Sequence, residues 1–460
     1  MKTSTLWFAS VFSLLAQLAL PAFAGDNPAQ IEATQGMSQQ DWSDDWGDGS
    51  DDWGDDAGWE QSDEATSASL NWHGFAELLF GARVQNSPVI DTDVTAGEAR
   101  IWLGADRYFG DYFFSAQGDL LADSVTDELS LSVRELALSG RLSDTMDFKV
   151  GRFVSTWGTG DLLFLNDLFP KDWQSFFAGR EMNYLKQAAN SVKVGFFLDA
   201  LNIDLVWTPV FSPDRIIDGE RFGYFSPMAG QLVAAEPRLI SAKPDKSLAN
   251  GEFAVRAYGR VAGYELAGYA YRGFFKQPLG FDSALLLPDF PRLNSLGGSV
   301  QGNVYNGIFN LEASWYDSVK DRKGKNPLIP NSQLRFLLGY QQELIKNLTG
   351  SMQAYVEWTM QHDELIANSP FPEYEVDEFR QVLSVRLTHR AMMDNLTSSL
   401  MVFVSPSDKD YFLMPSLTYR VNDNLSGEIG GRLLGGRHEL TFYGQHKTNT
   451  NLYGRIRMRF

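Results

Sequence analysis

From Leu70 onward, apolar and polar residues alternate with a period of two in short stretches separated by turn-forming residues. In "SMQAYVEWTMQ", Met352, Ala354, Val356, Trp358 and Met360 share one parity, and Ser351, Gln353, Tyr355, Glu357 and Thr359 share the other. In "EFRQVLSVRLTHR", Phe379, Leu383, Val385 and Leu387 oppose Arg380, Ser384, Arg386, Thr388 and Arg390. Successive side chains of a strand point to opposite faces, so this period predicts strands with one apolar and one polar face. The pattern predicts eighteen of them, at 70–84, 98–108, 112–121, 130–141, 146–156, 190–197, 202–211, 252–261, 264–274, 295–304, 307–317, 332–343, 349–360, 378–390, 396–404, 411–420, 425–433 and 450–460, with sixteen as the alternative count.

The connections carry the next inference. Tight ones such as "FGD", "LSDTM", "DALN", "VAG", "YNG", "KNL", "MDN" and "VNDN" alternate with long ones at 85–97, 122–129, 157–189, 212–251, 275–294, 318–331, 361–377, 405–410 and 434–449. Short turns at one end and long loops at the other are the layout of an outer-membrane β-barrel. A bilayer tolerates only helices and closed barrels, because every backbone polar group must be paired internally. Eighteen strands therefore imply closure, the last strand pairing with the first. With both barrel ends on the short-turn side, the short turns fall in the periplasm and the long loops outside.

Composition agrees. Aromatic residues make up 13% of the 460, with 32 Phe, 17 Tyr and 12 Trp, and there are 41 Gly. After the first 24 residues no stretch approaches the ~20 apolar residues of a membrane-spanning helix. The start itself reads Lys2, "LWFASVFSLLAQLAL" and "PAFA", the layout of a signal peptide over 1–24, with cleavage between Ala24 and Gly25. The chain has no Cys, which excludes a lipidated cysteine at that point and any disulfide.

Residues 25–69 are a different material, with 13 Asp or Glu and no Lys or Arg. "DDWGD" occurs at 44–48 and again at 51–55. Such a segment cannot bury enough apolar surface to fold alone and is expected to be a disordered acidic periplasmic tether. It repeats Trp42, Trp46, Trp53 and Trp59, which suits a docking arm in which residues 40–60 bind a periplasmic protein. A plain spacer and a pore-entering plug remain as alternatives.

The chain ends "NLYGRIRMRF", with Leu452, Gly454, Ile456, Met458 and Phe460 opposite Tyr453, Arg455, Arg457 and Arg459. This resembles the Gram-negative outer-membrane porins and export channels, whose last strand alternates and ends in an aromatic residue, usually Phe, read by the barrel-assembly machinery. The resemblance implies an all-β transmembrane antiparallel barrel over 70–460 in the cell outer membrane, with Phe460 as assembly signal and the arginines facing the lumen. The architecture also looks like the alginate-export channel group. The stretch from "KVGRFVSTWGTGD" to Asp172 is similar to a "GRQ…WG…D…NP.D" pattern of porin-like families, carried by Gly151, Arg152, Trp157, Gly158, Asp161, Asp167, Pro170 and Asp172. Phe153 stands where that pattern has Gln.

Assigning polar faces to the interior places Arg100, Arg141, Arg256, Arg260, Arg335, Arg380, Arg386, Arg390, Arg420, Arg432, Arg455, Arg457 and Arg459 inside. Glu77, Glu98, Asp106, Asp119, Glu135, Asp204, Glu252, Glu357 and Glu428 join them. One reading has these charges pair with each other and brace the barrel. In the other they form a basic path for an anionic solute, since rings of Arg favour anions and the guanidinium fork binds carboxylate or phosphate in two places. Candidate selectivity residues are Arg380, Arg386, Arg390, Arg420, Arg432, Arg455, Arg457, Arg459, Glu357 and Glu428. Loop 157–189 is too apolar to stand in water; it is expected to fold into the mouth, with a short helix near 172–187. Asp161, Phe164, Asp167, Phe169, Asp172 and Trp173 are its candidate constriction residues.

Enzyme chemistry lacks a constellation. His73, His362, His389, His438 and His446 are the only histidines, and neither H-E-x-x-H nor G-x-S-x-G occurs. "DDWGD" lacks calcium-loop spacing, and no basic patch interleaved with aromatics points to nucleic acid. No cofactor or metal is expected. The sequence reads as a passive channel for a hydrophilic, anionic solute. The alternative is an export component or barrel anchor whose acidic arm recruits a periplasmic transport partner.

Overall fold

The computed structural model describes residues 70–226, 229–234 and 239–460. The signal segment 1–24, the acidic segment 25–69 and its Trp42, Trp46, Trp53 and Trp59 lie outside the described residues. Eighteen long strands form: β1 (Asn71–Arg83), β2 (Val94–Phe109), β3 (Tyr112–Asp123), β4 (Glu128–Ser143), β5 (Met146–Phe153), β6 (Ala189–Phe197), β7 (Asn202–Thr208), β8 (Glu252–Val261), β9 (Tyr264–Phe274), β10 (Arg292–Val304), β11 (Gly307–Ser318), β12 (Gln333–Ile345), β13 (Leu348–Thr359), β14 (Phe379–Ala391), β15 (Leu396–Ser405), β16 (Asp410–Arg420), β17 (Leu425–Gly436) and β18 (Asn451–Arg459). Each pairs antiparallel with its neighbours in the chain, and β18 pairs with β1 from Phe75↔Arg459 to Arg83↔Asn451. Phe460 completes the seam: Gly74 N–H donates to its carbonyl at 3.0 Å and its own N–H donates to Gly74 O at 2.9 Å. A closed barrel leaves no unpaired strand edge.

Connections 110–111, 144–145, 198–201, 262–263, 305–306, 346–347, 392–395 and 421–424 lie at one end. Those at the other end include 84–93, 154–188, 209–251, 275–291, 319–332, 360–378 and 437–450. The alternation of loop lengths expected from the sequence is not strict. On the long-loop side, 124–127 and 406–409 are as short as the turns opposite. There the strands run further than their polarity pattern suggests, so the hairpins close at once.

Side-chain parity follows the sequence along most strands. On β13, Ser351, Gln353, Tyr355, Glu357 and Thr359 are buried inside, while Met352 is exposed outside. The outer surface is a continuous apolar belt that includes Leu131, Phe253, Leu296, Phe336, Leu383, Ile429 and Ile456. Parity breaks at a few irregularities, of which one in β4 matters here: Gln117 pairs with Glu135 and Gly118 with Val133, leaving Arg134 as the extra residue. Both Arg134 and Glu135 then turn inward.

The interior, expected to carry only the polar faces, is in part a hydrophobic core. Leu337, Val382, Met401, Phe403, Phe412, Met414, Leu434 and Tyr453 point into it and are buried. The reason is the partner they meet, because the long loop after β5 enters the barrel and brings its own apolar residues.

Candidate functional site

The loop at 154–188 holds its shape with a few local devices. Asp172 caps helix α1 (Trp173–Ala178), its Oδ1 accepting the Ser175 N–H at 2.9 Å. Gly179, at φ 80°, ends the helix in the left-handed region. A Cβ at that position would stand 2.5 Å from the Tyr453 ring, so glycine also permits close approach to β18. A single 3₁₀ turn, Met182–Tyr184, comes next.

Hydrophobic burial fixes the loop against the wall. Phe176 and Phe177 lie 5.4 and 5.7 Å from Phe412, and Trp157 meets Phe169 edge-on at 5.0 Å. Each large side chain taken fully from water contributes about 1.5–3 kcal/mol. These are the residues whose apolarity made an exposed loop untenable.

Ion pairs then fix its register on both sides. Toward β1–β3, Arg180 Nε lies 2.8 Å from Glu98 Oε2, and Arg221, from loop 209–251, pairs with Asp123. Arg100 reaches Asp119 at 3.1 Å, and Arg457 bridges Glu77 and the loop residue Glu181. Burial alone would raise the Glu181 carboxyl, but the Arg457 guanidinium holds it below its ordinary range. Tyr184 donates to Asp119 Oδ1 at 2.6 Å, and burial pushes its phenol up. Buried charges persist only when paired in this way.

Toward β11–β14, Glu312 accepts the Thr159 N–H and, at 2.9 Å, Asn166 Nδ2. Tyr316 donates to Leu165 O at 2.6 Å, and Gln353 Oε1 accepts the Asp161 N–H at 2.9 Å. Arg386 pairs with Asp161 at 2.9 Å.

Between loop and wall remains a cavity of about 250 Å³. The loop lines it with Phe164, Asp167, Phe169, Lys171 and Trp173, and the wall contributes Arg335, Tyr355, Glu357 and Arg380. Asp214, Lys276 and Phe442 close it. Its charges are compensated: Arg335 lies 3.3 Å from Glu357, Arg380 2.8 Å from Asp408, and Lys171 2.9 Å from Asp167. Trp173 Nε1 donates to Asp214 Oδ2 at 2.8 Å, and burial pushes that carboxyl up.

Of the residues singled out from sequence, Phe164, Asp167, Phe169, Trp173, Glu357 and Arg380 come together at this cavity. Asp161 meets Arg386, and Asp172 serves as helix cap and partner of Arg215 at 3.4 Å. Arg455 with Glu428, and Arg457, belong to the opposite network. Arg432 is 1% exposed and lies beneath α1, its Nε donating to Phe176 O at 3.0 Å. Arg390, Arg420 and Arg459 stand near the short turns, where Arg420 donates to Asp394 O at 3.4 Å. Among the described residues Arg390 has no side-chain partner, and Arg459 makes no hydrogen bond or ion pair through its side chain but lies close enough to Glu181 to favour its charged form.

Glu312, Lys171, Arg180, Arg221, Asp214 and Lys276 also belong to the site and are not among the candidates named from sequence. Glu312 was within reach, since Asn310, Glu312 and Ser314 are the polar parity of a strand. Arg180 and Glu181, set in "FFAGREM", had the signal of charges inside an apolar loop. Arg221 had none, because loop 209–251 shows no period.

No protein-family model and no curated protein matches this chain. Among solved structures, the barrel is similar to a mutant of the Rh. blastica porin, with 11% identity over 85% of this chain and 100% of that one, at a TM-score of 0.38. It is similar to OccK11 (OpdR) of Pseudomonas aeruginosa, at 9% identity over 85% and 95%, TM-score 0.49. OmpF of Salmonella typhi, in complex with daunomycin, matches at 10% identity over 85% and 97%, TM-score 0.41.

Proposed function

We propose that this protein is a porin-like channel of the outer membrane that passes a small hydrophilic, anionic solute, with loop 154–188 as its constriction. The observation that carries this reading is the eyelet itself: an inward-folded loop pinned to two opposite walls, beside a cavity of about 250 Å³. The outward apolar belt supports insertion in a bilayer, because a soluble protein would leave so large an apolar surface in water. Support for an anion comes from the short-turn mouth. Most lumen charges are paired, whereas Arg390 points inward without a partner among the described residues and Arg459 makes no ion pair and acts only at a distance on the Glu181 carboxylate, so the two lean that mouth positive. The mechanism is passive, with fixed charge setting preference and no covalent chemistry.

The dense bracing of the loop favours a second reading, a barrel that is closed at rest and serves as anchor or export component. Single-channel recording in a planar bilayer under a salt gradient separates the two. Steady conductance with an anion-favouring reversal potential is the expected result. A barrel that inserts and stays silent would favour the second reading.

A further inference from the structure

The outer face of the barrel carries a charge that the channel reading leaves without a role. On β9, Tyr269 and Tyr271 point inward and are buried, so Arg272 shares the outward parity with Leu266, Gly268 and Ala270. It lies near the long-loop end, level with Phe253 on β8 and Asn294 on β10. Phe253 stacks on Trp207 at 6.2 Å. One step toward the short turns, about 6.6 Å down the strand, the outward row is Val255, Ala270, Leu296 and Trp315. Arg272 is exposed and makes no hydrogen bond, ion pair or ring contact with any described residue.

An outward charge costs about 2–4 kcal/mol at the middle of a bilayer and little near its edge. The apolar row directly beneath Arg272 therefore sets it at headgroup level, where its missing partner is an anion. A second guanidinium is already positioned beside it. Arg292, the next outward residue of β10, lies 4.3 Å over the Phe274 ring and donates Nη2 to Asn250 Oδ1 at 2.6 Å. The acid on this face, Asp317, is taken by Arg322, whose Nε and Nη2 reach both its oxygens at 2.7 Å. Lys320 is exposed just beyond, where Val319 N–H meets Arg292 O at 3.3 Å. The patch thus combines basic groups, no open carboxylate on its strands and an apolar surface beneath.

We propose that Arg272 and Arg292 clasp the phosphate of a phosphorylated lipid headgroup in the leaflet on the long-loop side. The inference rests on the membrane location proposed above. Arginine suits the role because its planar fork meets phosphate oxygens in pairs. Phe253, Leu296 and Trp315 supply the reason for a lipid, since they would meet its acyl chains, to which free phosphate has no counterpart.

The test is native mass spectrometry of the full chain released from detergent micelles, titrated with bisphosphorylated lipid A, its dephosphorylated form and inorganic phosphate. The wild type should retain lipid A in preference to the dephosphorylated form. Arg272→Gln and Arg292→Gln should each weaken retention roughly tenfold, the scale of one charged hydrogen bond. Equal retention of the two lipids, or a double variant that binds as the wild type does, would overturn the proposal. So would displacement of the lipid by millimolar phosphate, which would mark a simple anion site. Both side chains face away from the lumen, so conductance should not change in either variant. Failure of the wild type to insert in planar bilayers would sink the channel reading, while retention in micelles would still report on this site.

Discussion

Arg180 of the inward loop and Glu98 of β2 meet with the guanidinium edge on the carboxylate: Nε lies 3.1 and 2.8 Å from its two oxygens, and Nη2 lies 2.9 Å from Oε1. Both side chains are almost wholly buried. Removing one partner of such a pair leaves the other charge desolvated, at about 3–5 kcal/mol. Arg180→Gln should lower the unfolding free energy obtained from urea titration by an amount near the bottom of that range, and the midpoint with it, because Arg100 and Arg221 still lie 3.6 and 3.5 Å from Glu98. The same variant should raise current noise as the loop loosens. An unchanged midpoint would mean that the loop is held by its phenylalanines alone.

The contact between Asp161 and Arg386 differs in kind. At 2.9 Å, with both side chains 18% exposed, it is partly wet, and such pairs contribute no more than about 1 kcal/mol. Asp161→Asn should leave stability nearly unaltered and act on transport, freeing the Arg386 charge inside the lumen. Reversal potentials under a salt gradient should shift toward anions. An unchanged reversal potential would exclude this pair from the ion path.

Gly179 is a geometric requirement. Alanine there would occupy a left-handed conformation, at about 1 kcal/mol or more, and its Cβ would press on the Tyr453 ring 2.5 Å away. Gly179→Ala should displace the helix end from β18 and enlarge the eyelet, seen as higher conductance. Gly230, also at positive φ but with nothing near its Cβ position, is the control; alanine there should leave conductance as it is.

The barrel was legible because its physics is local. Period-two alternation and turn residues placed every strand to within a few positions, and closure follows from the bilayer's demand for paired backbone groups. The constriction was legible only as a necessity. Phe176 and Phe177 had to be buried, but nothing local names Phe412 as their partner. The hydrophobic interior of β15 and β16 escaped notice because the inward parity of "LTSSLMVFVS" sets Met401 and Phe403 among Thr397, Ser399 and Ser405, and a polar majority does not reveal that two of its positions meet an apolar loop instead of water. The Arg180–Glu98 pair joins residues distant in the chain through the path of a loop that has no period. Such contacts are set by tertiary packing.

The positive bias of the short-turn mouth should depend on Arg390 and Arg459, which project from β14 and β18 and form no ion pair among the described residues. Converting both to Gln removes fixed charge while cutting no ion pair, so folding should be preserved. Anion preference should fall, and more steeply at low ionic strength, since screening shortens to about 10 Å at 0.1 M. If preference is unaltered at 10 mM salt, the selectivity lies in the eyelet.

His446 gives the long-loop side a pH response whose direction can be worked out. Its ring packs 4.8 Å from Phe177, with Nδ1 3.2 Å from the Gly223 carbonyl. Burial lowers its pKa from 6.5 to about 4, an effect the Gly223 carbonyl offsets only in part. The folded protein thus keeps the ring neutral while the unfolded chain takes up a proton below 6.5. Stability from this residue is complete above that pH, is lost as pH falls from 6.5 toward 4, and changes no further below. The loss should approach about 3 kcal/mol. Urea midpoints at pH 7, 5.5 and 4.5 should therefore fall more steeply for the wild type than for His446→Gln. Amide exchange over 437–450 should quicken in parallel. Parallel slopes for the two proteins would mean that the ring is already open to water.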